Sequence, residues 1–281
     1  MSNTLLFGNG LNRLSSNAVS WSQLLDSLKV RDCFPHDNLP YTMVYEQIFM
    51  GSNTSDPDKE LSIKNEIAKA LTTQNSNEVM NRLALMNFSN FITTNYDYAF
   101  SEALNVSSQK LSTEDIYSLR RKRKFGDKIL WHAHGEIDNP KSIMLGLDHY
   151  CGSVGKIDAY VKGKYSFNAD GKTVSIASIE EKIRSNTFCN TSWIDLFFST
   201  NVHILGFSLD FSEIDFWWLL NKRARFCRQG IITNEIYFHV TEIDEQKERL
   251  LDSFNVNVIK TPVVNEKYAE MYLQIINEMR L

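Results

Sequence analysis

The sequence predicts an α/β fold, a Rossmann-like parallel sheet flanked by helices and carrying a helical insert. Three observations predict it. Short β-rich runs alternate with longer helical stretches, the order that gives a parallel sheet covered on both faces. Each run is almost continuously apolar, as a strand buried on both faces must be. The runs are brief and Gly, Asn or Asp stands at their ends, which separates them from turns of buried helix.

The runs fall at residues 4–7, 91–94, 129–132, 202–205, 236–240 and 256–259. Between the first two, Leu61, Ile63, Ile67, Leu71, Val79, Leu83 and Met86 recur at spacings near three and four, so residues of about 31–87 read as a helical insert. A second insert, irregular, is expected at about 151–199, where Gly152, Gly155, Gly163 and Gly171 precede a return to helical phase, and it is placed to cover a site mouth. Tyr268, Met271, Tyr272, Ile275 and Ile276 share one helical face and predict a closing helix against the sheet. The whole of 1–281 reads as one domain.

Composition bounds the function. With 43% hydrophobic residues, 23% charged residues and 5 prolines, the chain is expected to be ordered throughout. A net charge of −4 gives no general attraction for nucleic acid or acidic lipid, so no direct contact with either is expected. Two basic stretches, Arg120 to Lys124 and the run of Lys222, Arg223, Arg225 and Arg228, read as solvated surface. Cys33, Cys151, Cys189 and Cys227 stand far apart with no C-x-x-C pair, which argues against a zinc ribbon or a disulfide framework and fits a reducing compartment. The amino terminus lacks the pattern of a secretory signal, and no window holds about 20 apolar residues, so a cytoplasmic protein is expected.

Four motifs carry chemistry, each at the carboxyl end of a predicted strand and hence on one rim of one sheet. Gly8-Asn9-Gly10-Leu11-Asn12 follows the first strand. A pyrophosphate needs close backbone N–H groups and the positive end of a helix, and glycine gives it room. The third glycine of the dinucleotide fingerprint is Arg13 here, so the segment reads equally as a plain strand-to-helix turn. Thr94-Asn95-Tyr96-Asp97 ends the second strand, where polar side chains reach the ligand crevice, although Asn95 and Asp97 equally suit a strand end and a helix cap. His132-Ala133-His134-Gly135 ends the third. Histidine suits proton transfer near neutral pH, and strand alternation puts both imidazoles on the same side. His134 is the better candidate, being nearer the strand end and next to glycine. A metal site is not expected, because no matching ligand cluster accompanies the pair. Gly206-Phe207-Ser208-Leu209-Asp210 follows the fourth strand and offers backbone and hydroxyl hydrogen bonds; Asp210 breaks the G-x-S-x-G pattern of a nucleophile elbow.

Taken in order, G-N-G-L-N, T-T-N-Y-D, H-A-H-G and G-F-S-L resemble the successive NAD-site motifs of the sirtuin family, most closely the sirtuin-like effectors of bacterial anti-phage defence of the Thoeris type. The resemblance implies NAD⁺ held by Gly8, Asn9, Gly10, Asn12, Thr94, Asp97, Gly206, Phe207 and Ser208, with His134 and Asn95 as the catalytic pair. Protein-deacylating sirtuins carry a zinc module with paired cysteines and an Ile-Pro-Asp-Phe-Arg segment, and neither is present here. The resemblance therefore implies an NAD⁺ glycohydrolase, releasing nicotinamide and ADP-ribose and gated by a separate sensor subunit within a homo- or hetero-oligomer. The alternatives it leaves are a deacylase and a non-catalytic NAD-sensing module.

Overall fold

The computed structural model describes residues 1–29, 39–51, 56–111, 116–279 and 281. Parts of the expected helical insert, residues 31–38 and 52–55, lie outside the described residues, as does Cys33. The chain begins with β1 (Asn3–Phe7), buried along its whole length, and turns at once into α1 (Asn9–Asn12). Helices α2 (Trp21–Leu28), α3 (Tyr41–Met50), α4 (Lys59–Leu71) and α5 (Glu78–Leu85) follow. Ser20 opens α2 through a reciprocal capping box with Gln23, and the Asn77 side chain accepts from the Met80 amide at the start of α5. Ile63, Ile67 and Leu71 of α4 pack with Leu24, Leu25, Val44 and Ile48 into a core of their own, whereas Val79 and Leu83 of α5 face the sheet.

The chain then runs through β2 (Asn90–Thr93), α6 (Ala99–Ala103), β3 (Gln109–Lys110), β4 (Lys122–Phe125), β5 (Lys128–His132), α7 (Leu147–Val161), β6 (Ser166–Ala169), β7 (Lys172–Ser175), α8 (Ile179–Ser185) and α9 (Trp193–Ser199). It closes with β8 (Asn201–Leu205), α10 (Ile214–Arg228), β9 (Ile236–Val240), α11 (Glu245–Ser253), β10 (Val256–Lys260) and α12 (Tyr268–Glu278). All six expected strands are present within one or two residues.

Eight strands form one sheet in the order β10-β9-β8-β1-β2-β5-β4-β3, parallel except for the β3–β4 and β4–β5 pairings. Because β1 lies between β2 and β8, the chain leaves it first to one side and later to the other. Crevices outside the carboxyl ends of strands at such a reversal are where α/β sheets bind ligands. Alternation along β1 sends Leu5 and Phe7 toward α5, α6 and α12, and Leu6 toward the face covered by α7, α9 and α10. This burial on both faces is why the strand reads as an unbroken apolar run.

Four expectations are corrected. The basic stretch at 120–124 is not solvated surface: it leads into the antiparallel strand β4, Arg121 is 2% exposed, and Arg123 reaches the buried Glu136. Period-two alternation from Arg121 into β4 puts Arg121 and Arg123 on the same side, and the Glu136 carboxylate meets them there. Arg223 of the second stretch is also buried, because it donates to the carbonyls of Asn234 and Asn255. The stretch at 151–199 is mostly regular: Gly152 and Gly155 lie inside α7, and Gly171, at φ +75°, makes the turn between β6 and β7. Gly152 has a packing reason, since a Cβ there would lie 2.4 Å from the Tyr117 ring. On α12, Met271, Tyr272, Ile275 and Ile276 are buried as expected, but Tyr268, on the same face one turn earlier, is the first residue of the helix and is 50% exposed beside the cleft. Cys151, Cys189 and Cys227 are free thiols, and no helix among the described residues is long and apolar enough to cross a membrane.

Candidate active site

The glycine turns after β1 and β8 pack directly on one another. The Gly10 amide donates to the Gly206 carbonyl at 2.8 Å. A Cβ on Gly10 would lie 2.7 Å from that oxygen, and one on Gly8 would lie 2.9 Å from the Phe207 ring. Gly206 adopts φ +60°, a left-handed conformation open to glycine. These glycines are therefore required by the close approach of two loops as well as by any ligand. Helix α1 has only four residues, so it lacks the macrodipole expected behind the turn, and backbone amides are what the turn offers.

Behind the turn a buried chain of polar side chains crosses from β1 to β2. The Asn95 amide donates to Asn12 Oδ1 at 2.9 Å, and the Asn12 amide donates to Asp97 Oδ2 at 2.7 Å. Asp97 Oδ1 accepts from the Ala99 amide at 2.9 Å. Burial pushes the Asp97 carboxyl up to about 6 despite those donors. Asn95 Oδ1 is left buried without a partner. Such an atom is costly unless something donates to it, so Asn95 offers this site an acceptor.

The two histidines part company after β5. The strand ends at His132, and the chain bends through residues 133–134 to Gly135 at φ +119°. Alternation therefore lapses, and the expectation of a shared side is corrected. His132 turns to the Asn95 carbonyl at 3.3 Å and to the Tyr98 ring, and burial pushes it down to about 4, leaving it neutral. His134 instead packs on Tyr150 and Phe216, with Nε2 3.0 Å from Asp215 Oδ2.

Asp215 is fully buried in the first turn of α10, where its Oδ1 accepts from the Phe216 amide at 2.8 Å and its Oδ2 accepts from Ser153 Oγ of α7 at 3.1 Å. A carboxylate at a helix start is favoured by the dipole. Burial alone would lower the His134 pKa, but the charge and hydrogen bond of Asp215, with Glu213 nearby, leave it raised above 6.5. With Nε2 committed to Asp215, Nδ1 is the remaining nitrogen; it meets the Tyr150 hydroxyl in a long hydrogen bond of 3.4 Å and lies 3.9 Å from Glu213 Oε2.

These loops surround a cleft of about 1220 Å³, lined by Asn9, Gly10, Thr94, His134, Gly206, Phe207 and Ser208 of the expected residues. Gly8, Asn12, Asn95 and Asp97 are not among the lining residues, although Asn95 lies in sequence between Thr94 and Tyr96, which are. The volume exceeds the roughly 300–1,000 Å³ usual for small-ligand pockets, and the Gly8-to-Asn12 turn supplies a surface that a Cβ would fill. A dinucleotide fits such a cleft. His134, Glu213 and Asp215 bring one donor atom each within 4.8 Å of one another, the spacing of a possible ion site. The Asp215 oxygens, however, already serve His134, Ser153 and the Phe216 amide, so the set is organised as a hydrogen-bonded dyad.

Tyr150, Ser153, Glu213 and Asp215 were not among the residues picked from the sequence. Glu213 and Asp215 read there as ordinary acids at a helix start, and nothing in the local pattern tied them to a histidine 81 residues away.

A mostly parallel sheet reversing at β1, with polar loops gathered over the reversal, defines an open α/β protein of the Rossmann type whose ligand crevice lies at that reversal. The model of the SIR2-like domain family matches residues 89–259, more than half of the chain, and the protein belongs to that family. The match takes in Asn95, His134 and Gly206 and leaves the Gly8-to-Asn12 turn outside it. SIR2-like domains are typically NAD-using enzymes. No curated protein matches the chain.

Proposed function

We propose that the protein hydrolyses NAD⁺ to nicotinamide and ADP-ribose, with His134 and Asn95 as its catalytic pair, and that it serves as a partner-gated effector of anti-phage defence of the Thoeris type. The observation that carries the cleavage reading is the His134–Asp215 dyad in the cleft wall, with Nδ1 of His134 engaged only by a long contact to the Tyr150 hydroxyl. The orphaned Asn95 Oδ1 supports it.

The chemistry follows from the bond to be broken, between the nicotinamide nitrogen and the ribose carbon. As the bond lengthens its electron pair neutralises the ring, and positive charge develops on the ribose. A site for this reaction needs negative or electron-rich groups near that carbon and acceptors that hold the ribose and water in line. Asp215 and Glu213 supply the former. His134 Nδ1, in the neutral imidazole, accepts from a ribose hydroxyl, and Asn95 Oδ1 accepts from water or a second hydroxyl. The lack of a zinc module and of the Ile-Pro-Asp-Phe-Arg segment favours water over an acyl-lysine as the acceptor.

An NADase that was always active would deplete its own cell, which supports gating by a separate sensor subunit. The test is fluorescence release from etheno-NAD⁺ by the protein expressed with its genomic neighbours. Release that falls at least about 100-fold in His134→Ala and in Asn95→Ala, with folding retained, is expected. Parental rates in either variant remove the site assignment, and acyl-ADP-ribose formed from an acylated peptide removes the hydrolase reading.

A further inference from the structure

Glu213 immediately precedes α10 in the N-cap position, yet its side chain makes no capping hydrogen bond. It lines the cleft and is 17% exposed. Its Oε2 lies 3.9 Å from His134 Nδ1 and is buried with no hydrogen-bond partner. A carboxylate that does not cap its helix, and whose neighbouring donors are the Tyr150 hydroxyl and an imidazole 3.9 Å away, loses more hydration than these contacts return, so the fold alone gives little reason for it. The groups facing it are His134 from the loop after β5, Tyr150 from α7, Asp215 from its own helix, Asp210 from the turn after β8, and Tyr96 after β2. Burial raises the Glu213 carboxyl, the His134 charge lowers it, Asp215 raises it again and a hydrogen bond from Tyr150 lowers it, which together bring it to about 7.

The inference rests on the cleavage reading above. We infer that Glu213 is a catalytic residue whose free Oε2 faces the nicotinamide ribose, balances the positive charge growing there, and takes the proton of the attacking water. In that step the water oxygen forms a bond to the ribose carbon and the bond to nicotinamide breaks. Its electron pair stays on the nicotinamide nitrogen, and one water proton passes to Glu213. The products are neutral nicotinamide, ADP-ribose and a protonated Glu213, which returns its proton to solvent. An acid that titrates near neutral pH suits this exchange, since it is basic enough to accept and acidic enough to release. His134, already tied to Asp215, is left to hold the ribose.

The test uses Glu213→Gln in the full chain with its activating partners. Turnover of etheno-NAD⁺ should fall about 100-fold or more with KM changed only a few-fold. The thermal midpoint should not fall, because the variant removes a carboxylate crowded by Asp215. Calorimetry adds a reading that needs no turnover: the variant should lose about tenfold of the wild-type preference for NAD⁺ over NADH, whose ring is uncharged. A variant that turns over at the wild-type rate overturns the assignment while leaving NAD⁺ cleavage intact. A lowered midpoint with lost binding of both nucleotides also overturns it, by showing a structural role. If the activated wild type binds NAD⁺ without cleaving it, the cleavage reading fails, and the affinity ratio then decides for Glu213. An unchanged ratio overturns its contact with the nicotinamide ribose, and a reduced ratio supports that contact.

Discussion

The amide of Gly10 and the carbonyl of Gly206 meet at 2.8 Å, joining the turn after β1 to the turn after β8 across 196 positions of sequence separation at the level of the backbone. Neither residue has space for a side chain. Gly10→Ala would drive a methyl to 2.7 Å from the Gly206 oxygen, and backbone on both sides resists the shift. The variant is expected to lose about 1–3 kcal/mol of stability. It should also lose NAD⁺ affinity, because the two loops that form the cleft floor must separate. Thermal unfolding and calorimetry check both, and an unchanged midpoint would show that the turns are not locked together.

The His134–Asp215 bond sets a pH signature. The folded imidazole has its pKa raised above 6.5 by Asp215, so the pair contributes stability that is fully present below 6.5 and is lost as pH rises through the folded value. In Asp215→Asn that contribution disappears, and the imidazole titrates at lower pH. NMR titration of His134 should show the downward shift. Because a free Nδ1 is needed for the proposed chemistry, the acid limb of activity should move the same way. An imidazole titrating at the same pH in both proteins contradicts the dyad.

Glu136 makes the opposite prediction. It is 1% exposed, pairs with Lys110 at 2.8 Å and Arg123 at 3.0 Å, and accepts from the Tyr98 hydroxyl at 3.0 Å. Burial would raise its carboxyl, but Lys110, His132 and Arg123 hold it down to about 2. The stability it supplies is therefore present above 4.5 and lost as pH falls toward 2, and the shift corresponds to about 3 kcal/mol. Glu136→Gln should destabilise the protein by that order at pH 7 and flatten the acid side of its stability curve. Urea unfolding between pH 3 and 7 measures it, as rough bounds for the window.

A second buried ion pair ties α8 to α9. Lys182 Nζ lies 2.8 Å from Asp195 Oδ1 and donates to the Tyr160 hydroxyl at 2.8 Å, with all three residues buried. Lys182→Met leaves the Asp195 carboxylate uncompensated and should cost about 3–5 kcal/mol. The double change Lys182→Met with Asp195→Leu should recover part of that loss, since what costs is the stranded charge. Equal loss in the single and double variants would contradict this account.

The fold was legible in the sequence because the strands of a parallel sheet are buried on both faces and print as short apolar runs. Residues 4–7, 91–94 and 202–205 are the central examples. Strand β4 was not legible, because three of its four residues are Lys122, Arg123 and Lys124, and cations read as surface unless the carboxylate that meets Arg123 and the preceding Arg121 is known. The choice of His134 over His132 was made on its glycine neighbour. The tertiary structure adds a bend after β5 that sends the two rings into different surroundings.

What the sequence determined by itself is the set of strands, the loops at their carboxyl ends and the polar residues those loops carry, since each depends on neighbours a few positions away. The tertiary structure alone decided which groups meet there: Asp215 and Tyr150 against His134, Asn12 between Asn95 and Asp97, Gly10 against Gly206. Those pairings join segments distant in the chain. Burial and unpartnered atoms, which convert an ordinary acid or amide into a candidate for chemistry, exist only once the sheet has brought the segments together.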